Sequence, residues 1–241
     1  MGNKNIIITS ENIEYLINKE QIYSNTNSKA ENNEITITSE KFNYDRKLDI
    51  FNAINNVKIE DKLKDIIIYS EKITYFKQKD KILTEGKTNA LIESKYDFLS
   101  KNVSLLRKQK QLSSSFQTKI ISDGVKSYEL DEFIYFIDDK LVKGINITMN
   151  SNINVDKGKA DHLKFENGFF NLENKTHKAG KTQFNLRKDN FGNPENDPRM
   201  VGASSSSTEN LTIVNKGIFT SCKKENGKCP PWSIKAEKVT H

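Results

Sequence analysis

A six-residue phrase of alternating polar and apolar positions recurs along the chain about every thirty residues. Its copies begin at Ser10 (SENIEY), Ser39 (SEKFNY), Ser70 (SEKITY), Ser100 (SKNVSL), Leu130 (LDEFIY) and Ala160 (ADHLKF). The steps between successive starts are 29, 31, 30, 30 and 30 residues. Self-similarity at a fixed period is typical of stacked repeats, in which each unit buries its apolar face against its neighbours. The pattern therefore predicts about six repeats of about thirty residues that together build one long surface.

The alternation inside the phrase predicts a β-strand. Positions 4 and 6 are apolar or aromatic in every copy, whereas position 5 is mostly polar. Successive side chains of a strand point to opposite faces, so positions 4 and 6 share one face; in a helix, residues two apart do not. The twelve positions that we predict to face inward are Ile13, Tyr15, Phe42, Tyr44, Ile73, Tyr75, Val103, Leu105, Phe133, Tyr135, Leu163 and Phe165.

Each repeat adds two further parts to the phrase. A short charged turn and a second strand follow it, and a third short apolar run precedes the next copy. Residues 77–80 (KQKD) form such a turn, Gly86 interrupts the strand that follows, and residues 66–69 (IIIY) are such a run. Short β-rich runs separated by polar turns predict an all-β fold, in which equivalent strands form ladders of like residues.

The pattern divides the chain into three parts. Residues 6–188 carry the repeats. Residues 189–209 contain Asn, Gly and Pro followed by four serines at 204–207, which predicts a loop or linker. Residues 210–241 alternate again and contain both cysteines of the chain, Cys222 and Cys229, so we expect a cysteine-containing strand segment there.

Charge and motifs argue against several classes of function. The net charge is +6, and the densest basic cluster, Arg107, Lys108 and Lys110, lies in a predicted turn, so we interpret it as solvated and expect no nucleic-acid site. The sequence shows no phosphate loop, serine-nucleophile motif or HExxH motif, and two cysteines are too few for a structural zinc site. We therefore expect neither an enzyme nor a cofactor or metal.

Position 2 of the phrase contributes a column of carboxylates, which in another context could supply a glycosidase pair. We interpret them as residues at the strand ends rather than as catalytic groups. They are Glu11, Glu40, Glu71, Asp131 and Asp161.

The phrase and the tail resemble a known family. The repeated S-E-x-Ile/Phe-x-Tyr phrase is similar to the organic-solvent-tolerance (OstA-like) domains of bacterial lipopolysaccharide transport. Residues 217–222 (GIFTSC), 229–236 (CPPWSIKA) and 239–241 (VTH) resemble the segment that leads into the barrel in the LptD family of lipopolysaccharide-assembly proteins. The resemblance covers residues 6–241. It implies an antiparallel, V-shaped or twisted β-jelly roll whose apolar interior accepts lipopolysaccharide acyl chains.

The same resemblance implies a location and partners. The domain would lie at the periplasmic face of the outer membrane and pass lipopolysaccharide to its own C-terminal barrel, which carries a plug lipoprotein in the full assembly. That barrel is missing here, so we expect this chain to be a fragment. A periplasmic bridge protein of the same fold would add its strand edge to edge, and the docking edge that we expect comprises Ile6, Ile7, Ile8 and Thr9.

The cysteines and the interior leave alternatives open. Cys222 matches the family position better than Cys229 does, and the disulfide could join the two or join either to the barrel; all of these imply an oxidising compartment. On the residues alone, the apolar ladder fits an open groove and a closed core equally, and the resemblance favours the groove. The alternative functions are a soluble periplasmic bridge protein of the LptA type and a purely structural β-solenoid such as an adhesin stalk.

Overall fold

The chain folds into two all-β units, 1–116 and 117–241. A computed structural model describes residues 6–156, 159–188, 193, 195–224 and 230–240. All strand pairs within each unit are antiparallel, which confirms the predicted fold class. The division after residue 116 falls inside the stretch 6–188 that we predicted as one repeat domain. Within the described ranges, no helix is long and apolar enough to cross a membrane.

Short strands and three long ones make up unit 1. Its strands are β1 (Ile7–Ser10), β2 (Glu14–Leu16), β3 (Gln21–Ser24), β4 (Ser28–Glu31), β5 (Ile35–Ser39), β6 (Lys41–Asp45), β7 (Ile50–Asp61), β8 (Ile66–Phe76), β9 (Lys81–Ile92), β10 (Tyr96–Lys101), β11 (Ser104–Leu106) and β12 (Gln111–Ser114). A single 3-10 turn, Ile17–Lys19, separates β2 from β3.

The long strands β7, β8 and β9 each take part in two layers. In the first layer, one half of each long strand belongs to a series in which each strand pairs with the next. The series is β2, β3, β6, β7, β8, β9, β11 and β12. In the second layer, the other half pairs in the series β1, β4, β5, β7, β8, β9 and β10. The layers are therefore joined by continuous strands that turn a corner.

The corners lie at residues with left-handed backbone conformation. Asn55 and Asn56 have φ values of 64° and 49°, and Gly86 has a φ of 83°. Glycine and asparagine adopt this region at low cost, which explains why Gly86 interrupts a strand pattern there. The carboxylate of Glu40, at position 2 of its phrase, accepts hydrogen bonds from the side-chain amides of Asn55 (3.2 Å) and Asn56. The phrase that contains Glu40 therefore begins beside the point where β7 passes from one layer to the other.

The predicted ladders exist as rows of directly opposed residues. One row crosses the first layer of unit 1 through position 6 of four phrases and the strands between them. It consists of Tyr15, Ile22, Tyr44, Phe51, Tyr75, Ile82, Leu105 and Leu112. In the second layer, Ile37, Ile59 and Ile68 form part of a similar row and are fully buried. The interior of unit 1 is thus filled by its own side chains.

Unit 2 repeats the scheme with longer strands. They are β13 (Thr118–Ser122), β14 (Lys126–Leu130), β15 (Glu132–Phe136), β16 (Leu141–Asn150), β17 (His162–Asn171), β18 (His177–Asn185), β19 (Arg199–Ser207), β20 (Thr212–Thr220) and β21 (Ile234–Thr240). Strands β16 to β21 pair consecutively and cross both layers; β15 belongs to the first layer, and β13 and β14 to the second. The corners again carry positive φ, at Asn146 (49°), Lys181 (40°) and Lys216 (50°).

Strand β19 corrects the sequence prediction. The stretch 189–209 was predicted as a loop or linker, which is wrong over Arg199–Ser207. Only Met200 supplies a large buried apolar side chain there, and the other buried residue of the strand is Ser205, opposite Ala179. Small polar residues fit this part of the interior, so the strand lacks the apolar alternation by which strands are detected. The following segment, 210–241, contains β20 and β21.

Candidate functional site

The structure places most of the predicted inward positions inside the two units. Eight are buried, namely Phe42, Ile73, Tyr75, Val103, Leu105, Phe133, Tyr135 and Phe165. Tyr44 and Leu163 are half-buried. Ile13 and Tyr15 are 42% and 45% exposed, because β2 pairs only with β3 among the described residues and nothing there covers its other side. Whether these positions line a groove for lipid stays a prediction.

Each unit has a seam, by which we mean the line where the turns of its first layer meet the turns of its second layer. Arg107 closes the seam of unit 1. Its guanidinium donates hydrogen bonds to Asp61 (2.8 Å) and Glu34 (3.2 Å) of the second layer and to Asp80 (2.6 Å) of the first. Arg107 is 3% exposed, so our interpretation of its cluster as a solvated turn is wrong for this residue.

The charged groups in this seam have their partners within unit 1. Burial lowers the pKa of Arg107, but the hydrogen bond and charge of Asp61, together with Asp80, raise it well above its usual range. Burial also raises the pKa of the neighbouring Tyr75 to about 12. The ammonium of Lys64 donates a hydrogen bond to the Arg107 carbonyl. A buried cation with three carboxylate partners links the two layers of unit 1 at this seam.

The seam of unit 2 is open. A cavity of about 460 Å³, which we call the slot, lies between its two layers. Its apolar lining is Tyr128, Met149, Leu163 and Phe170. Its polar lining is Lys126, Glu173, Asn174, Lys175, Thr176, His177, Ser207, Thr208, Glu209 and Thr212. A cavity that presents both apolar and polar side chains suits an amphiphile.

Aromatic contacts join the two layers beside the slot. The Phe165 ring lies 5.1 Å from that of Phe170 and 5.2 Å from that of His177, and Tyr128 lies 5.7 Å from Phe170. The two ring nitrogens of His177 are hydrogen-bonded to Ser205 (3.0 Å) and to another serine hydroxyl (2.8 Å). Burial lowers the pKa of His177 to about 4, so the ring is neutral at pH 7. No motif in the sequence points to His177, because its role depends on packing opposite Phe170.

From the slot, an apolar row runs across the second layer of unit 2. Its members face one another on successive strands: Ile120, Tyr128, Met149, Leu163, Phe184, Met200, Phe219 and Ile234. Seven steps at the usual strand spacing give a row roughly 33 Å long. Ile120 is fully buried, whereas Ile234 on β21 is 57% exposed. The row is therefore accessible at the slot and again at its last strand.

The predicted docking edge lies at the start of unit 1. Ile6 precedes β1, Ile7 is exposed, and Ile8 and Thr9 pair with Ala30 and Lys29 of β4. Among the described residues β1 pairs with β4 alone, so its other edge carries unpaired backbone groups. Docking of a partner strand on this edge stays a prediction.

The cysteine prediction is tested only in part. Cys222 follows β20, and its sulfur lies 3.9 Å from the carbonyl oxygen of Trp232. A hydrogen bond with Thr220 lowers the pKa of the Cys222 thiol. Cys222 forms no disulfide with another described residue, and Cys229 lies outside the described residues. The disulfide pattern therefore stays a prediction.

A second cavity, of about 680 Å³, lies at the outer corner of unit 1. Its lining is polar or charged throughout: Thr9, Ser10, Glu11, Asn27, Ser28, Lys29, Thr38, Ser39, Glu40 and Asn56. No residue of the apolar rows reaches it. In the part of the chain that the structure describes, no group of three His, Cys, Asp or Glu side chains could hold a metal ion.

Comparison with known proteins finds likeness to solved structures alone. No protein-family model matches the chain, and no curated protein matches it. Among solved structures, one match is the crystal structure of LptH from Pseudomonas aeruginosa, the LptA-homologous periplasmic component of the lipopolysaccharide transport device. The match covers 60% of this chain and 93% of that chain, at 11% sequence identity and a TM-score of 0.28. A likeness of this extent carries no inference about function.

Proposed function

We propose that this chain is a periplasmic domain that binds lipopolysaccharide through its acyl chains and lets the lipid move along its interior. The observation that carries the proposal is the apolar row of unit 2, which begins deep in the layer and is open at the slot. Each methylene removed from water contributes about 0.8 kcal/mol, without a preferred direction. An apolar row of this kind would hold an acyl chain tightly and still allow it to slide.

The choice of lipopolysaccharide among lipids comes from the sequence. The recurring S-E-x-Ile/Phe-x-Tyr phrase and the cysteine–tryptophan tail resemble lipopolysaccharide-transport domains. The rows that the phrase builds agree with such a role, since positions 4 and 6 of most copies point into a unit. Binding and transfer of this kind need no catalytic group, cofactor or metal, and we propose none.

The finer part of the proposal concerns the assembly. We propose that β1 receives a strand of a bridge protein of the same fold, and that the exposed strand β21 leads the lipid toward an outer-membrane barrel of the LptD type with its plug lipoprotein. Cys222 would then form a disulfide with Cys229 or with the barrel. Sequencing the DNA beyond the His241 codon tests this part. Barrel-type strands would support it, whereas an immediate stop codon would favour a free bridge protein of the LptA type.

Binding to acylated and deacylated lipopolysaccharide tests the main proposal. The purified chain is titrated with each, and binding is followed by fluorescence of a labelled lipid. We expect saturable binding of the acylated form and much weaker binding of the deacylated form, because the apolar row contacts hydrocarbon. Equal binding of both forms, or of neither, would refute the proposal.

A purely structural role is favoured by one observation, the filled interior of unit 1. Ile59, Ile68 and Ile73 are fully buried, and Arg107 pairs with the buried Asp61 at the seam. If the whole chain were structural, a hydrophobic dye would find no site in either unit. We expect instead that dye binds to unit 2 and is displaced by lipopolysaccharide, and that Leu163→Asp abolishes its binding.

A further inference from the structure

Two lysines at the slot have no part in binding an acyl chain. Lys126 is the first residue of β14 and is half-buried, and Lys175 lies in the turn between β17 and β18. Both line the slot, beside the apolar surface of Tyr128 and Leu163. Lysine side chains beside an apolar wall point to a ligand that combines an apolar part with a charged end.

The turn that carries Lys175 is fixed by side-chain hydrogen bonds. Asn171 Oδ1 accepts hydrogen bonds from the backbone N–H groups of Glu173 and Asn174, each at 3.0 Å. Asn174 Oδ1 accepts a hydrogen bond from the Thr176 hydroxyl at 2.7 Å. The backbone of Lys175 is thereby held in a left-handed conformation, with a φ of 60°. Its side chain therefore starts from a defined place at the mouth of the slot.

The two lysines lack carboxylate partners. Neither forms an ion pair within the described part of the chain, although Glu173 and Glu209 also line the slot. Burial lowers the pKa of Lys126, the charge of Lys175 lowers it further, and Asp123 opposes these effects. Two neighbouring cations repel each other, and an anion placed between them would stabilise both.

In unit 1, the cation at the seam has its carboxylate partners within the unit. There the buried cation, Arg107, has Asp61, Asp80 and Glu34 as partners, and the seam is closed. In unit 2 the seam is open, and its cations have no such internal partners. The contrast between the units indicates that the anion for the unit 2 seam comes from outside the chain.

We propose that Lys126 and Lys175 bind a phosphate of the lipid headgroup while an acyl chain lies on Tyr128, Met149 and Leu163. This inference rests on the proposed lipopolysaccharide-binding function and adds the place where the headgroup is held. Charge-assisted hydrogen bonds from ammonium groups to phosphate are short and strong, especially next to an apolar surface. The slot would thus orient the lipid as it enters from the side of unit 2.

The test compares two lipids on the full chain. Lipopolysaccharide with its headgroup phosphates and the same preparation after enzymatic dephosphorylation are titrated at low and at high salt. We expect the parent to bind the phosphorylated lipid at least tenfold more tightly, and high salt to reduce this preference. Lys126→Met with Lys175→Met should remove the preference, whereas Lys126→Arg with Lys175→Arg should keep it. Lys178→Met, on the outer face of β18, is the matched control and should behave like the parent.

The outcomes separate this inference from the function on which it rests. If the parent binds both lipids equally, or the double methionine variant keeps the preference, the headgroup site is wrong while acyl-chain binding stands. If the parent binds neither lipid, the proposed function fails and the inference with it. If inorganic phosphate alone binds the lysines as tightly as the lipid does, a lipid headgroup is the wrong source of the anion.

Discussion

Arg107 of unit 1 and His177 of unit 2 both lie at a seam, and each depends on particular partners there. Arg107 is charged and hydrogen-bonded to three carboxylates. His177 is neutral, lies against Phe170 and is hydrogen-bonded to two serines. One seam is therefore closed by ion pairs, and the other is lined by aromatic rings and remains open. The two residues offer separate tests of this difference.

Replacing Arg107 should destabilise unit 1. Arg107→Met leaves the carboxylate of Asp61, which is 1% exposed, without its partner. Breaking a buried ion pair in this way costs about 3–5 kcal/mol of the free energy of unfolding. Urea denaturation measures the loss, with Lys108→Met as the control on the exposed part of the same turn. A loss below about 1 kcal/mol, in the range of exposed ion pairs, would show that the network does not hold the layers together.

His177 should make the stability depend on pH in the acidic range. Its pKa in the folded chain is about 4, below the value of about 6.5 in an unfolded chain. The unfolded state takes up the proton first as the pH falls, so stability present above pH 6.5 is lost between about pH 6.5 and pH 4. The loss from this group is about 3 kcal/mol at most.

The matched variant for this effect is His177→Gln, which can still hydrogen-bond a serine but does not titrate. Unfolding free energies of parent and variant are measured at pH 7, 5.5 and 4.5. We expect the parent to lose more stability than the variant as the pH falls. Parallel curves would mean that His177 is protonated in the folded chain without penalty.

At the scale of strands, much of the fold follows from alternation. Positions 4 and 6 of the phrase predicted which residues of β6, β8 and β15 point inward, because a strand with one buried face must alternate. Strand β19 escaped detection, since its inward places hold Ser205 as well as Met200. The exposure of Tyr15 could not be predicted either, because the phrase predicts the face of a strand but not whether another strand covers it.

The corners of the long strands allow a test of how the layers are joined. Gly86 has a φ of 83°, and a Cβ there would meet no other atom within 4 Å, so only the backbone conformation opposes substitution. Gly86→Val should cost about 1–2 kcal/mol, because left-handed conformation is unfavourable for a β-branched residue. Gly86→Asn should cost less, since asparagine occupies the corner at Asn146. Equal melting temperatures for the two variants would argue against a backbone origin.

At the scale of the whole chain, the division into two units could not be predicted from the sequence. The repeat continues across residue 116, so periodicity gives no boundary there. The seams depend on contacts between distant repeats, such as those of Arg107 with Glu34 and Asp61, and a basic residue in a turn gives no sign of them. The slot and its lysines could not be predicted either, because they too depend on contacts between distant repeats. The sequence predicted an apolar interior; at the seam of unit 1 the structure places the ion pairs of Arg107, and at the seam of unit 2 it places a cavity.

The central claim, that the open interior of unit 2 receives lipid acyl chains, is tested most directly by site-specific photo-crosslinking on the full chain. A photoreactive residue replaces Met149 or Leu163, which line the slot, or Thr148 or Lys164, their neighbours on the opposite face of β16 and β17. After incubation with lipopolysaccharide and irradiation, adducts are detected by gel shift and mass spectrometry. We predict adducts from positions 149 and 163 and none from 148 and 164. Adducts from the outward positions alone, or from no position, would contradict the claim.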